Sequence, residues 1–302
     1  MNQYEEICKD MGQRAKVASF ELAQIDQGTL DSALLAIADA VEAQTDEIMA
    51  ANQLDLDKSG DYNVPQTMID RLTLTPSRIS QMAEGVRQVA SIESPVGSVI
   101  ETITRPNGLV IEKRAVPFGV IGIIFEARPN LTIDAGVLCL KTANATILRG
   151  GKEAFHTNQI IVSIMRNTLE TLGITPDAIQ LVEVLDREMV GVLLQQREYI
   201  DVVIPRGGAG LIRRVVNESS IPVIETGSGV CHTFVDEYAN LDMALEIAIN
   251  AKVQRPSVCN SMETLLVHQA VAAEFLPRLD VALQEYGVRI HGDNAVAQYM
   301  GN

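Results

Sequence analysis

The sequence predicts an α/β fold in which a helical layer precedes a parallel sheet with helices on both faces, and a shorter α/β segment follows. Three observations predict it. From Tyr4 to about Ala90, Ala, Leu and Ile recur at three- and four-residue spacing, the period of helices that bury one face. Asn107-Gly108 then separates two strand-like runs, a strong hairpin signal. From Phe118 onward, short apolar runs alternate with helical stretches, as a parallel sheet with crossover helices requires.

In order, helical spacing covers Ala15 to Leu22 and Leu30 to Ala50, divided by Asp26-Gln27-Gly28. Asn63-Val64-Pro65 interrupts the pattern, and Thr75-Pro76-Ser77 opens a further helix through Val89, with proline at a permitted early position. Ser98 to Thr104 and Leu109 to Val116 form the hairpin. Strands follow at Val120 to Phe125, Ala145 to Leu148, Ile179 to Val182, Asp201 to Ile204 and Pro222 to Ile224. Helices lie between them at Leu131 to Thr142, Glu153 to Leu172, Arg187 to Leu194 and Gly210 to Asn217. Beyond these come a helix from Leu241 to Ile249, a strand near Leu265, a helix from Val271 to Tyr286 and a short strand at Val288 to Ile290.

The composition narrows the function. With 47% apolar residues in 302, the chain can bury one large or two ordinary cores. A formal net charge of −15 argues against nucleic acid or an anionic membrane as partner, yet leaves room for a small anionic ligand in a local cationic pocket. Cys8, Cys139, Cys231 and Cys259 have neither metal-ligand nor redox-motif spacing, so a reducing cytoplasm is the plain expectation and no metal is expected. The acidic start, Met1 to Glu6, is unlike a signal peptide, and no apolar run reaches membrane-spanning length.

Three places carry chemistry. Cys259 follows Pro256, which ends the preceding helix, so the thiol falls in a turn or at the start of the next element; a helix start there, or the cations Lys252 and Arg255 upstream, would favour a thiolate nucleophile. An inert core thiol is the competing possibility. Arg149-Gly150-Gly151-Lys152 ends a strand with two cations and two glycines, which suits a phosphate as well as it suits a solvated loop. Arg206-Gly207-Gly208-Ala209-Gly210 ends another strand, where backbone N–H groups either cradle a pyrophosphate or only make a tight turn.

The segment Arg255-Pro256-Ser257-Val258-Cys259-Asn260, within Asn250 to Thr264, resembles the nucleophile segment of the gamma-glutamyl phosphate reductases of the aldehyde dehydrogenase superfamily. Val116 to Asn130, Ile147 to Ala154 and Ile224 to His232 resemble the same family in the same order, and the likeness covers essentially the whole chain. The resemblance implies an aldehyde dehydrogenase-like architecture: a Rossmann-type NADP-binding domain over 1–225, with the hairpin 98–116 serving oligomerisation, and the first part of an α/β catalytic domain over 226–302. It implies NADPH-dependent reduction of L-glutamyl 5-phosphate to the semialdehyde through a thioester on Cys259. Arg149 and Lys152 would then meet the NADP 2′-phosphate, and Gly207, Gly208 and Gly210 the pyrophosphate. Glu225 matches a glutamate that activates water in oxidising members; in a reductase it either moves protons, positions groups or only bonds its loop. Asn130 offers an amide to a developing oxyanion. Cys231 reads as structural, and His232 has no assigned role. Two alternatives stand beside this: NAD(P)-dependent oxidation of another aldehyde, or a catalytically silent nucleotide-binding protein. Members of the family continue past the point matching Asn302, with a Glu-Phe-Gly segment and a C-terminal oligomerisation strand. The second segment is therefore expected to leave apolar faces uncovered, and the chain to turn over weakly or not at all.

Overall fold

The computed structural model describes residues 3–62, 66–126, 128–225, 227, 229–256 and 258–300, with backbone alone for 66 and 67. Asn63-Val64-Pro65, where a helix break is expected, lies outside these residues. The chain divides into two compact units, Met1–Thr226 and Gly227–Asn302.

The first unit begins with α1 (Gln3–Leu22), α2 (Gln27–Ala43), α3 (Thr45–Asp57), α4 (Gln66–Leu72) and α5 (Pro76–Ser91). The single helix expected over 30–50 is two helices: Gln44 departs from helical geometry at φ −106°, ψ 28°, and its N–H closes back on Ala40 and Glu42. Apolar periodicity runs through such a break unchanged, which is why spacing alone misses it. Asp26 caps α2 by accepting from the Thr29 N–H, and Thr75 caps α5 ahead of Pro76. Leu34, Ile37 and Val41 of α2 and Ile79, Ala83 and Val86 of α5 are buried as these helices pack together.

The hairpin is β1 (Val99–Thr104) and β2 (Val110–Arg114), antiparallel, with every residue exposed. The sheet follows: β3 (Val120–Phe125), α6 (Pro129–Lys141), β4 (Ala145–Arg149), α7 (Phe155–Thr171), β5 (Ile179–Leu181), α8 (Arg187–Leu193), β6 (Val202–Arg206) and α9 (Ala209–Glu218). Its order is β5-β4-β3-β6, all parallel. All six residues of β3 are buried, as a central parallel strand demands. The strand expected at Pro222 to Ile224 is reduced to one bridge, Val203 with Val223. Val203 N donates to Pro222 O and Ile224 N to Val203 O; the next donor along β6 would be residue 205, a proline with no N–H, so the ladder stops.

Two polar joints tie the helical layer to the sheet. Asp201, just before β6, accepts from Lys16 Nζ of α1 at 2.8 and 2.9 Å and from Val120 N at 2.8 Å. Gly119 beside it has φ +115°, and a Cβ there would run into the Asp201 carboxylate. The N-terminus of α7 has no side-chain cap of its own; Asp55 of α3, 2% exposed, supplies it by accepting from His156 N, Thr157 N and the Thr157 hydroxyl.

The second unit holds β7 (Cys231–Val235), α10 (Leu241–Val253), β8 (Met262–Val267), α11 (Gln269–Gln284) and α12 (Asn294–Ala297). β7 and β8 are parallel. Ala248, Phe275, Leu276, Leu279 and Leu283 form its core. Phe234, Met243, Ile247 and Leu266 are exposed. The strand expected at Val288 to Ile290 does not form: Val288 N donates to Leu283 O and Gly287, at φ +65°, turns the chain, so the segment closes the end of α11 instead of joining a sheet. No helix among the described residues is long and apolar enough to cross a membrane.

Candidate active site

In the first unit, the parallel register brings the carboxyl ends of β3, β4 and β6 side by side, Ile124 opposite Arg149 and Phe125 opposite Arg206. The glycine turn follows β6. Gly208 is the N-cap of α9 and has no side-chain cap bond. Its N–H donates instead to Glu126 Oε2 at 2.8 Å, from the residue just after β3. A Cβ on Gly207 would lie 2.7 Å from that same carboxylate oxygen and 2.9 Å from Leu211 Cδ2, so glycine lets the carboxylate approach without either side chain shifting. Gly210 lies inside the first turn of α9 and not in the loop, where its N–H is one of the helix's four without an intrahelical partner. An anionic oxygen is therefore already seated at this helix N-terminus.

Arg149 ends β4. Its Nη1 donates to Gly150 O at 2.7 Å and its Nη2 to Leu185 O at 3.1 Å, while its buried Nε has no partner. Burial draws this guanidinium below its ordinary pKa; Glu153 opposes the shift, and Arg187 and Arg214 reinforce it. Lys152 is exposed, with Nζ 4.3 Å from the centre of the Tyr62 ring, so the two cations have separate partners. The glycine approach, the seated carboxylate and the orphaned Nε suit an anionic dinucleotide. Asn130, in the first turn of α6, donates its amide to Asp134 Oδ2 at 3.1 Å. Burial pushes the Asp134 carboxyl up and the Asn130 bond opposes that. Glu225 is exposed after the Val223 bridge. Glu126 was missed from the sequence; a lone glutamate after a strand becomes a signal only when the partner strand's glycine turn is known to lie alongside.

The second unit holds Cys259, exposed in the turn between α10 and β8. No helix begins there, since β8 is the next element, so a helix-start contribution to the thiolate does not apply. The turn is built from Val258 N to Arg255 O and Ser261 N to Val258 O. Ser261 Oγ closes the end of α10 on Ala251 O and Lys252 O, each at 3.4 Å. Lys252 Nζ donates to Met262 O at 3.1 Å. Cys231, read as structural, donates from Sγ to the Cys259 carbonyl at 3.3 Å. His232 Nδ1 lies 2.7 Å from Val230 O, and its side chain is exposed. Ser257 lies outside the described residues. A cavity of about 750 Å³ in this unit is lined by Lys252, Met262, Leu276, Ile290 and Tyr299; Cys259 is not among its described walls.

A parallel sheet with a glycine turn at its carboxyl edge in one unit, and an exposed thiol in a built turn in the other, is the equipment of a thiol-dependent α/β dehydrogenase that uses NAD(P). The sequence pattern of the aldehyde dehydrogenase family matches residues 2–298. The chain belongs to the aldehyde dehydrogenase family. It is 52% identical over 283 residues to gamma-glutamyl phosphate reductase of Proteus mirabilis, covering 94% of this chain and 68% of that protein. It is 53% identical over 281 residues to the enzyme of that name from Moorella thermoacetica, covering 93% and 67%. The crystal structure of gamma-glutamyl phosphate reductase from Thermotoga maritima superposes with a TM-score of 0.87 at 38% identity, over 97% of this chain and 70% of that one. An acetylating aldehyde dehydrogenase from Geobacillus thermoglucosidasius, at 17% identity and TM-score 0.71 over 96% of this chain and 60% of its own, shares the fold.

Proposed function

We propose that the chain belongs to an NADPH-dependent reductase of L-glutamyl 5-phosphate, yielding L-glutamate 5-semialdehyde and phosphate on the route to proline. The observation that carries this is the identity of about one residue in two to enzymes of that name across 93% and more of the chain, with Cys259 exposed at the matching segment. The Cys259 thiolate attacks the acyl carbon and expels phosphate, a good leaving group, to form a thioester. NADPH, when bound, supplies the hydride that reduces that thioester. The resulting thiohemiacetal on Cys259 collapses to release the aldehyde and return the thiol.

In the first unit, Gly207, Gly208 and Gly210 would hold the cofactor diphosphate at the α9 N-terminus, where the Gly208 N–H now meets Glu126. Arg149 and Lys152 would hold the 2′-phosphate, supplying positive charge and N–H donors to it. Asn130, an amide donor now bonded to Asp134, and Glu225, a carrier of protons or a positioning group, complete the proposed catalytic set. The exposed hairpin 98–116 serves contact between copies of the chain, and free thiols throughout suit the cytoplasm. The domains 1–225 and 226–302 divide this work between cofactor and thiol. The test follows NADPH formation from glutamate semialdehyde with and without phosphate. Phosphate-dependent formation is the expected result, and phosphate-independent oxidation would mark an ordinary aldehyde dehydrogenase.

A further inference from the structure

We propose that Cys231 is a positioning residue for the nucleophile: its thiol holds the backbone of the turn that presents Cys259. The inference rests on Cys259 being that nucleophile. Cys231 opens β7, is half-buried, and donates from Sγ to the Cys259 carbonyl oxygen at 3.3 Å across 28 residues of sequence. Because a peptide unit is planar, fixing that carbonyl fixes the whole Cys259–Asn260 plane, including the Asn260 N–H at its far end.

A second observation points the same way. Along β7 and β8, Cys231 pairs with Met262 but His232 pairs with Thr264, so Glu263 is an extra residue at this point of the ladder. A bulge breaks the regular alternation and re-aims side chains, and such irregularities gather beside active sites. Here it falls at the residue whose thiol reaches the turn. Met262, the strand partner of Cys231, also takes the Lys252 ammonium on its carbonyl. Ser261, next to it, closes the end of α10. The turn is thus anchored to the helix by Ser261 and to β7 by Cys231, while Lys252 ties the helix to β8.

The chemistry favours a thiol that donates. A carbonyl oxygen released from its donor leaves the Cys259–Asn260 peptide plane free to turn, and the Cys259 side chain turns with it. Serine in place of Cys231 keeps an O–H donor; alanine keeps none.

The experiment measures alkylation of Cys259 by iodoacetamide, followed by peptide mass spectrometry across neutral to alkaline pH, in wild type, Cys231→Ala and Cys231→Ser. Unfolding temperature and turnover are recorded on the same samples. For Cys231→Ala the expected result is alkylation of Cys259 about threefold slower than in wild type, the loss of one modest hydrogen bond. Cys231→Ser should follow wild type within about twofold at all pH. An alanine variant whose profile superimposes on wild type overturns the proposal. So does a serine variant that tracks alanine, which would make the site a packing position. Where turnover is measurable, kcat falls in Cys231→Ala with KM unchanged. Cys259→Ser is the separate control: if it still turns over, the nucleophile is elsewhere, while the alkylation comparison still decides whether Cys231 orients the turn.

Discussion

Replacing Cys259 with serine leaves the turn's backbone bonds in place and removes only the soft nucleophile, so turnover should be abolished while NADPH binding, measured by fluorescence, stays near wild type. The other thiols offer an internal contrast. Burial pushes Cys8 up to about 11 and Cys139 up to about 12, so both stay protonated and shielded. A thiol reagent should label Cys259 first, Cys231 slowly, and Cys8 and Cys139 only after unfolding; early labelling of Cys139 would contradict its burial. On the cofactor side, Arg149→Ala should weaken NADPH binding about tenfold or more and NADH binding little, the size of one lost charge-assisted bond. An unchanged NADPH/NADH ratio would remove Arg149 from the phosphate site. At this scale the sequence spoke where chemistry is local. A cysteine after a helix-ending proline and glycines after a strand are visible in a line of text. Glu126 and Cys231 were invisible as partners because each acts on a backbone group 82 or 28 residues away, and only strand register sets those meetings.

Among the elements, the hairpin has the least to hold it on its own. Ile100, Ile103, Val110 and Ile111 are exposed in a two-stranded ribbon, and such a ribbon is marginal without a surface to lie on. Paired replacement Ile100→Lys with Ile111→Lys should shift the chain toward monomer in light scattering without changing NADPH affinity; an unchanged mass would show that copies do not meet through the hairpin. The cap of α2 gives a pH signature. The Asp26 carboxyl lies below its ordinary 3.8 because the Thr29 hydroxyl and backbone N–H donate to its anion. A depressed folded value means that the contribution is present above the unfolded value and lost as pH falls through the folded one. Asp26→Ala should therefore lower the unfolding temperature at neutral pH, and the gap to wild type should close at acid pH below that window. A gap that stays constant with pH would mean the cap acts through something other than its charge. Element order was legible because the change from helical to alternating periodicity is strong. The failures share one cause, a single residue whose backbone decides: Gln44 breaking a helix, Pro205 withholding an N–H, Gly287 turning a chain.

For the molecule as a whole, the helical layer and the cofactor sheet of the first unit are joined by polar contacts that neither could satisfy alone. Asp55→Ala would strip the α7 N-terminus of three donated bonds in a buried place and should cost about 3 kcal/mol in denaturant unfolding, with amide exchange rising first at 155–158. A loss under about 1 kcal/mol would show that water replaces the cap. Periodicity alone assigns helices to the layer without saying what it is for. The structure gives the reason it cannot be dispensed with: the long helix behind Arg149 and Lys152 is finished by a residue of the layer.

That cap also sets a clock. Asp55 and Thr157 are 102 residues apart, and at 5–20 residues per second a ribosome needs roughly 5–20 s to add that length. For that interval a carboxylate destined for the interior waits in water with none of its donors made, and the first five helices have no sheet to rest on. The cap of α7 therefore forms only after the start of that helix has emerged, long after α3 has been made.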